Sequence, residues 1–141
     1  LVDPPNARLW TANARVTDGE LLALIGDSGY ALGARQKQIA DAMRAAPHLD
    51  EAALLALQLD DRAIFLERWN ALLRRTLAPK SGSAWTDIAD AADDWSGRAS
   101  IDSSGYRITR AFRLEVLTRV RDGLLGPARV ALGDAFLIPD L

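Results

Sequence analysis

The sequence has a single histidine, His48, and it lies in Pro47-His48-Leu49 between two stretches of helical pattern. A Ser-His-Asp triad needs that ring beside a nucleophile, and a metal centre needs two or three further good ligands. Neither accompanies it, so His48 reads as a solvated loop residue. Cysteine is absent, which removes a thiol nucleophile, a thiolate metal site and a disulfide framework together. Gly26-Asp27-Ser28-Gly29 has the glycines of a phosphate loop. No Gly-Lys-Ser/Thr follows, however, and no strand-turn-helix context supports a dinucleotide fingerprint. Arg107, Arg110, Arg113, Arg119 and Arg121 form a basic stretch, interrupted by Glu115 and Asp122. It reads as a solvated face, or as one pairing with the acidic run Asp87, Asp90, Asp93 and Asp94, rather than as a nucleic-acid surface. Trp10, Trp69, Trp85 and Trp95 would suit a pocket for an aromatic or acyl ligand, but tryptophans at helical spacing more often belong to a core.

The elements that must carry these residues are mostly helical. The 141 residues are 49% apolar and 26% charged, enough for one domain with a real core. A net charge of −2 is too small to argue for nucleic acid or for an anionic membrane surface. No apolar run approaches the roughly 20 residues that span a bilayer. The sequence opens at Leu1 with no initiator Met and no signal-type stretch, and the expectation is a piece cut from something longer.

Residues 1–33 are expected to be extended or looped, and residues 34–141 to form a helical domain. Asp3-Pro4-Pro5-Asn6 is turn chemistry, because the two prolines fix the backbone and remove two donors. Glu20 to Ile25 is a short apolar stretch of one or two helical turns. From Ala34, residues Ile39, Ala42, Met43 and Ala46 share a helical face that Pro47 ends. Asp50 is placed to cap a second helix, expected to run to about Leu77 with Leu55, Leu59, Arg62, Leu66, Trp69, Leu73 and Leu77 on one face. At 1.5 Å per residue that spine would be on the order of 40 Å long. Ala84 to Trp95 reads as an acidic third helix. Tyr106 to Leu125 reads as a fourth, burying Ile108, Phe112, Val116, Val120 and Leu124 and broken by Gly126-Pro127.

Four stretches together resemble the β-chain of the penicillin amidase family. Asp3-Pro4-Pro5-Asn6 leads into Leu9-Trp10-Thr11-Ala12-Asn13-Ala14-Arg15-Val16, where the family shows a proline turn and then Thr-Ala-Asn-Asn-Arg-Val. Gly29-Tyr30 through Gly33-Ala34-Arg35-Gln36-Lys37-Gln38-Ile39 is similar to its Gly-Tyr-Arg-Ala-Arg-Arg-Ile. Gln58-Leu59-Asp60 resembles its Gln-x-Asp helix, and Trp95-Ser96-Gly97 followed by Asp102-Ser103 resembles its Trp-Asp-Gly and Asp-Ser. In this order and spacing they cover the chain to about Phe112.

The resemblance implies an N-terminal-nucleophile hydrolase that cleaves its own precursor and then cleaves acyl-amide bonds. The attacking group is the hydroxyl of a serine at the start of the mature β-chain, with its own α-amine as base. Residue one here is Leu, so the resemblance places this segment downstream of that serine and implies an isolated chain without turnover. It implies that Asn13 is the oxyanion donor, with Ala14 standing where the family has a second asparagine. It also implies that Arg35 holds that asparagine and tunes the nucleophile's amine. No cofactor is required for the chemistry, but a structural calcium ion is common in the family, with Asp27 the nearest candidate ligand and Asp18 the second. The partners implied are the α-chain and the N-terminal part of the β-chain, whose αββα core the leading segment would join, and a small acyl-amide substrate. That substrate would be a β-lactam side-chain amide, an N-acyl homoserine lactone or a relative, met in the periplasm. The rival reading is a non-catalytic helical interaction module.

Overall fold

The structure is a computed structural model, and it describes residues 7–26 and 29–136. Among these it is helical, with six α-helices, two short 3-10 turns, no strands and one isolated antiparallel bridge. The backbone contacts separate two compact units, the second opening at Asp61.

The first unit holds α1 (Gly19–Ile25), α2 (Ala34–Ala45) and α3 (Glu51–Gln58). Helix α1 is the short apolar stretch expected near residue 20. It follows an extended Asp18 and ends at Gly26, whose φ of +87° an L side chain rarely adopts. Helix α2 stops two residues before Pro47, as the proline dictates. Its last carbonyls are taken up from outside the helix. Arg8 donates to the Met43 carbonyl and, at 2.6 Å, to that of Ala46, where a cation also complements the helix dipole. The Arg44 guanidinium lies 4.7 Å from the Trp10 ring centroid. Buried apolar side chains are few in this unit: Ala14, Ala40 and Met43.

Asp50 caps α3 as its sequence position requires, accepting from the Ala53 N–H at 2.8 Å. An eight-residue helix that buries none of its own side chains depends on such a bond more than a packed one does. Asp50→Ala is therefore expected to cost about 1 kcal/mol and to fray α3 first. Amide hydrogen exchange along residues 51–58 would check this, and unchanged protection there would contradict it.

The helix expected from Asp50 to Leu77 is not continuous. It is divided into α3, an irregular stretch with a 3-10 turn at Ile64–Leu66, and α4 (Glu67–Leu77). No Gly or Pro causes the break. Instead the backbone near Asp61 bonds to a distant segment: Ala63 N–H donates to Gly97 at 2.7 Å, and Ala99 N–H donates to Asp61 at 2.8 Å. These two bonds frame the Arg62–Arg98 bridge, and Arg98 pairs with the Asp61 carboxylate. Long-range hydrogen bonds thus replace the i→i−4 ladder, and helix propensity is outweighed. As a result Leu55 and Leu59 are exposed at 54% and 71%, whereas Leu66, Leu73 and Leu77 are buried.

The second unit packs α4 against α5 (Ser83–Asp93) and α6 (Ser104–Leu132). Leu73, Leu77 and Ala92 form its centre, with Ile88, Ala89, Ile108 and Phe112 against them. Trp69 meets Phe112 edge to face at 6.4 Å between centroids. One polar group sits in this apolar seam. The Asn70 side-chain amide donates to the Ala92 carbonyl at 2.9 Å and to the Thr109 hydroxyl at 3.0 Å, joining all three helices. Both residues are buried, so these bonds satisfy groups that would otherwise be costly to desolvate. Ser103 caps α6 by accepting from Tyr106 N–H at 3.1 Å.

Helix α6 differs from expectation in two respects. It runs through Gly126-Pro127 to Leu132. Proline's fixed φ is helical, and a Cβ at Gly123, one turn earlier, would meet nothing within 4 Å, so on this open stretch one lost bond is tolerated where a packed helix would break. The face expected to be buried along its whole length is covered only in its first half. Ile108 and Phe112 pack, whereas Val120 is 53% and Leu124 73% exposed.

Candidate functional site

The first unit brings together two residues that lie 22 positions apart. Asn13 sits in a bend, and Arg35 is the second residue of α2. The Arg35 guanidinium donates through Nη2 to the Asn13 side-chain carbonyl Oδ1. The Asn13 backbone carbonyl accepts from Ala31 N–H at 2.6 Å. The asparagine is therefore held at the main chain by the segment leading into α2 and at the side chain by the first turn of α2. Next to it, the buried Ala14 methyl lies 3.9 Å from where a Cβ on Gly33 would stand, which brings the bend close to the helix start.

The chemistry of the pair follows from its donor inventory. A guanidinium has five donors and no acceptor, so the only side-chain atom of Asn13 it can hold is the carbonyl oxygen. Fixing Oδ1 orients the amide plane and turns the Nδ2 donors the other way. Both side chains are exposed, so a reacting group has access to that amide. What the arrangement offers is a neutral, positioned N–H donor backed by a cation, the type of group that stabilises negative charge developing on a carbonyl oxygen.

The remaining candidates are dispersed. His48 is exposed in the connection between α2 and α3. Asp27 lies outside the described residues. Asp18 precedes α1 and stands 3.7 Å from an Arg15 guanidinium nitrogen. Among the described residues no group of three or more His, Cys, Asp or Glu stands close enough to hold a metal ion. A calcium ion needs six to eight oxygen ligands, more than the Asp18 carboxylate supplies by itself. Farther along α2, Lys37 hydrogen-bonds Asp41 and holds its carboxyl below the usual carboxylate range, with the Arg44 charge assisting.

Of the two readings of the α6 arginines, the solvated face holds for Arg107, Arg110 and Arg119, which are exposed. Arg119 pairs with Glu115 and Arg121 with Asp122 along the helix itself, and Arg113 lies over the Phe65 and Trp69 rings at 5.1 and 5.9 Å. The carboxylate of Asp93 on α5 is met by Arg74 of α4, at 2.5 Å. Trp10 belongs to the first unit, and Trp69, Trp85 and Trp95 to the second.

Two positioning groups were not legible beforehand. Arg8 carried no motif, and its role at the end of α2 depends on how the chain folds back. The Ala31 donor is a backbone N–H, which has no residue-type signature at all.

No helix among the described residues is long and apolar enough to cross a membrane. No curated protein and no solved structure matches the chain. The family model for penicillin amidase, by contrast, matches residues 1–138, nearly the full 141. It spans the Asn13 bend, the Arg35 helix start and all six helices, and on that match the chain belongs to the penicillin amidase family, a family of amide hydrolases.

Proposed function

We propose that this chain supplies the oxyanion donor and helical scaffold of an amide hydrolase that acts on acyl-amine bonds. The observation that carries the reading is the hydrogen bond from Arg35 to Asn13 Oδ1, made while the Ala31 N–H holds the Asn13 main chain. When a hydroxyl attacks an amide carbonyl, the carbonyl oxygen takes on negative charge. A donor already oriented at that oxygen stabilises the transition state more than the ground state. In this reading Asn13 Nδ2 donates to the oxyanion, and Arg35 is a positioning residue that fixes the amide plane. Ala14, where the family's pattern has a second asparagine, contributes packing instead of a further amide, being 5% exposed.

The nucleophile in this reading is a serine hydroxyl with its own α-amine as base. The nucleophile, the rest of the acyl-binding surface and the self-processing step belong to the remainder of the parent hydrolase. The 141-residue chain on its own is expected to release no chromophore from an acylated chromogenic amine above buffer, at any concentration. The parent polypeptide, analysed by intact mass and N-terminal sequencing after expression, is expected to give two chains, the larger beginning with Ser. A single uncut chain, or protein-dependent turnover by the 141 residues alone, would remove this assignment.

A further inference from the structure

Helices α4 and α5 enclose an open groove of about 1220 Å³ that the proposed chemistry does not use. One face of α4 (Asn70, Leu73, Leu77), with Leu66 just before it, is committed to the core. A second face, carrying Arg68, Leu72 and Arg75 at i, i+4 and i+7, turns to the groove together with Phe65. Trp85, Ala89 and Asp93 of α5 form the other wall. The apolar floor is accessible, with Phe65 at 37%, Leu72 at 36% and Trp85 at 44% exposure.

The charge around this floor opposes that of the chain. Four cations line the groove, Arg68, Arg74, Arg75 and Lys80, against the single carboxylate of Asp93, in a chain of net charge −2. Arg74 is committed to Asp93 at 2.5 Å. Lys80 stands 5.6 Å from the Trp85 ring centroid, so a cation sits directly over exposed aromatic surface. An apolar floor within a cationic rim complements a ligand that is apolar on one side and anionic at its edges.

We propose that this groove docks an acidic amphipathic peptide segment of a partner polypeptide, its apolar residues on Phe65, Leu72 and Trp85 and its carboxylates on Arg68, Arg75 and Lys80. The volume exceeds the roughly 300–1,000 Å³ of enclosed small-molecule pockets, which suits a helical turn or two better than a single acyl chain.

The test uses the full chain and a fluorescently labelled short peptide of alternating glutamate and leucine pairs, followed by anisotropy, with a lysine-for-glutamate peptide beside it. The acidic peptide is expected to bind at least about tenfold more tightly, and to weaken as salt is raised. Arg68→Glu with Arg75→Glu is expected to weaken it by a further tenfold or so, and Trp85→Ala to weaken it with far-ultraviolet circular dichroism unchanged. Lys80→Glu, beyond the last turn of α4, gives the same reading without risk to the helix. Equal binding of the two peptides, or unchanged affinity in the charge-reversed variants, overturns the proposal. So does a dodecanoate anion that binds as tightly as the acidic peptide and displaces it, since the groove would then be a site for small acyl anions.

Discussion

Asn13→Ala in the parent hydrolase is expected to lower kcat about 10²–10³-fold, equivalent to about 2.7–4 kcal/mol of transition-state stabilisation, with KM and folding nearly unchanged. The split between kcat and KM is the informative part. An oxyanion donor acts on charge that exists only in the transition state, whereas a residue that merely shaped the bend would lower stability and leave turnover per folded molecule intact. Asn13 is exposed and its buried neighbour is Ala14, so truncating its side chain removes little packing. The Ala31-to-Asn13 main-chain bond persists in the alanine variant and keeps the bend in place.

Arg35 gives this expectation an internal check. Arg35→Lys keeps the charge but replaces a planar fork by a point donor, so the amide plane of Asn13 loses its orientation while the electrostatic field remains. Its kcat is expected to fall between that of wild type and that of Asn13→Ala. In the double variant the second substitution should add little, because the two residues act as one unit. Full activity in Asn13→Ala, or independent and additive losses in the pair, would take the oxyanion role away from this bend.

The second large effect is on stability. Gly105→Ala is expected to destabilise the second unit by about 3 kcal/mol, despite placing a better helix former inside α6. A Cβ there would stand 2.7 Å from the carbonyl carbon of Asp94 and 2.9 Å from the Cα of Trp95. Both are backbone atoms, so no rotamer change relieves the contact. Helix α6 cannot easily back away either. Ser104 donates to the Asp94 carboxylate at 2.6 Å, so retreat breaks that bond. Against this, the gain in helix propensity from Gly to Ala is at most about 1 kcal/mol. The sign is therefore set by the contact. Thermal melts followed by circular dichroism should show the midpoint falling on the order of 10 °C. Gly123→Ala on the same helix has nothing within 4 Å of its new Cβ and is expected to raise the midpoint slightly. If both variants behaved alike, the close approach of α6 to the Asp94–Trp95 backbone would not exist.

Sequence and structure divide the molecule along a physical line. Local chemistry was readable directly. Asp50 as a cap, Pro47 ending α2, the turn of helix near residue 20 and the α5 span all depend on neighbours within a few residues, and all appear where the residues put them. The order of four short motifs was also enough to mark Asn13 and Arg35, although nothing in composition or periodicity singles out either.

What the sequence could not express is how backbone groups far apart are paired. The spine from Asp50 to Leu77 has an unbroken helical pattern, yet it is interrupted because residues 61–63 bond to residues 97–99. Periodicity predicts which side chains share a face, but not whether any other element covers that face. Hence Leu73 is buried while Val120 and Leu124, on an equally regular stripe, are exposed. The same limit applies to charge. The carboxylates of α5 were visible, but only the packing of α4 decided that Arg74, and no arginine of α6, meets Asp93. Sequence alone determined a helical chain of this family with an asparagine and an arginine of note. Only tertiary structure decided that the Arg35 guanidinium reaches the Asn13 carbonyl, because the direction of a side chain 22 residues away is set by the fold that carries it.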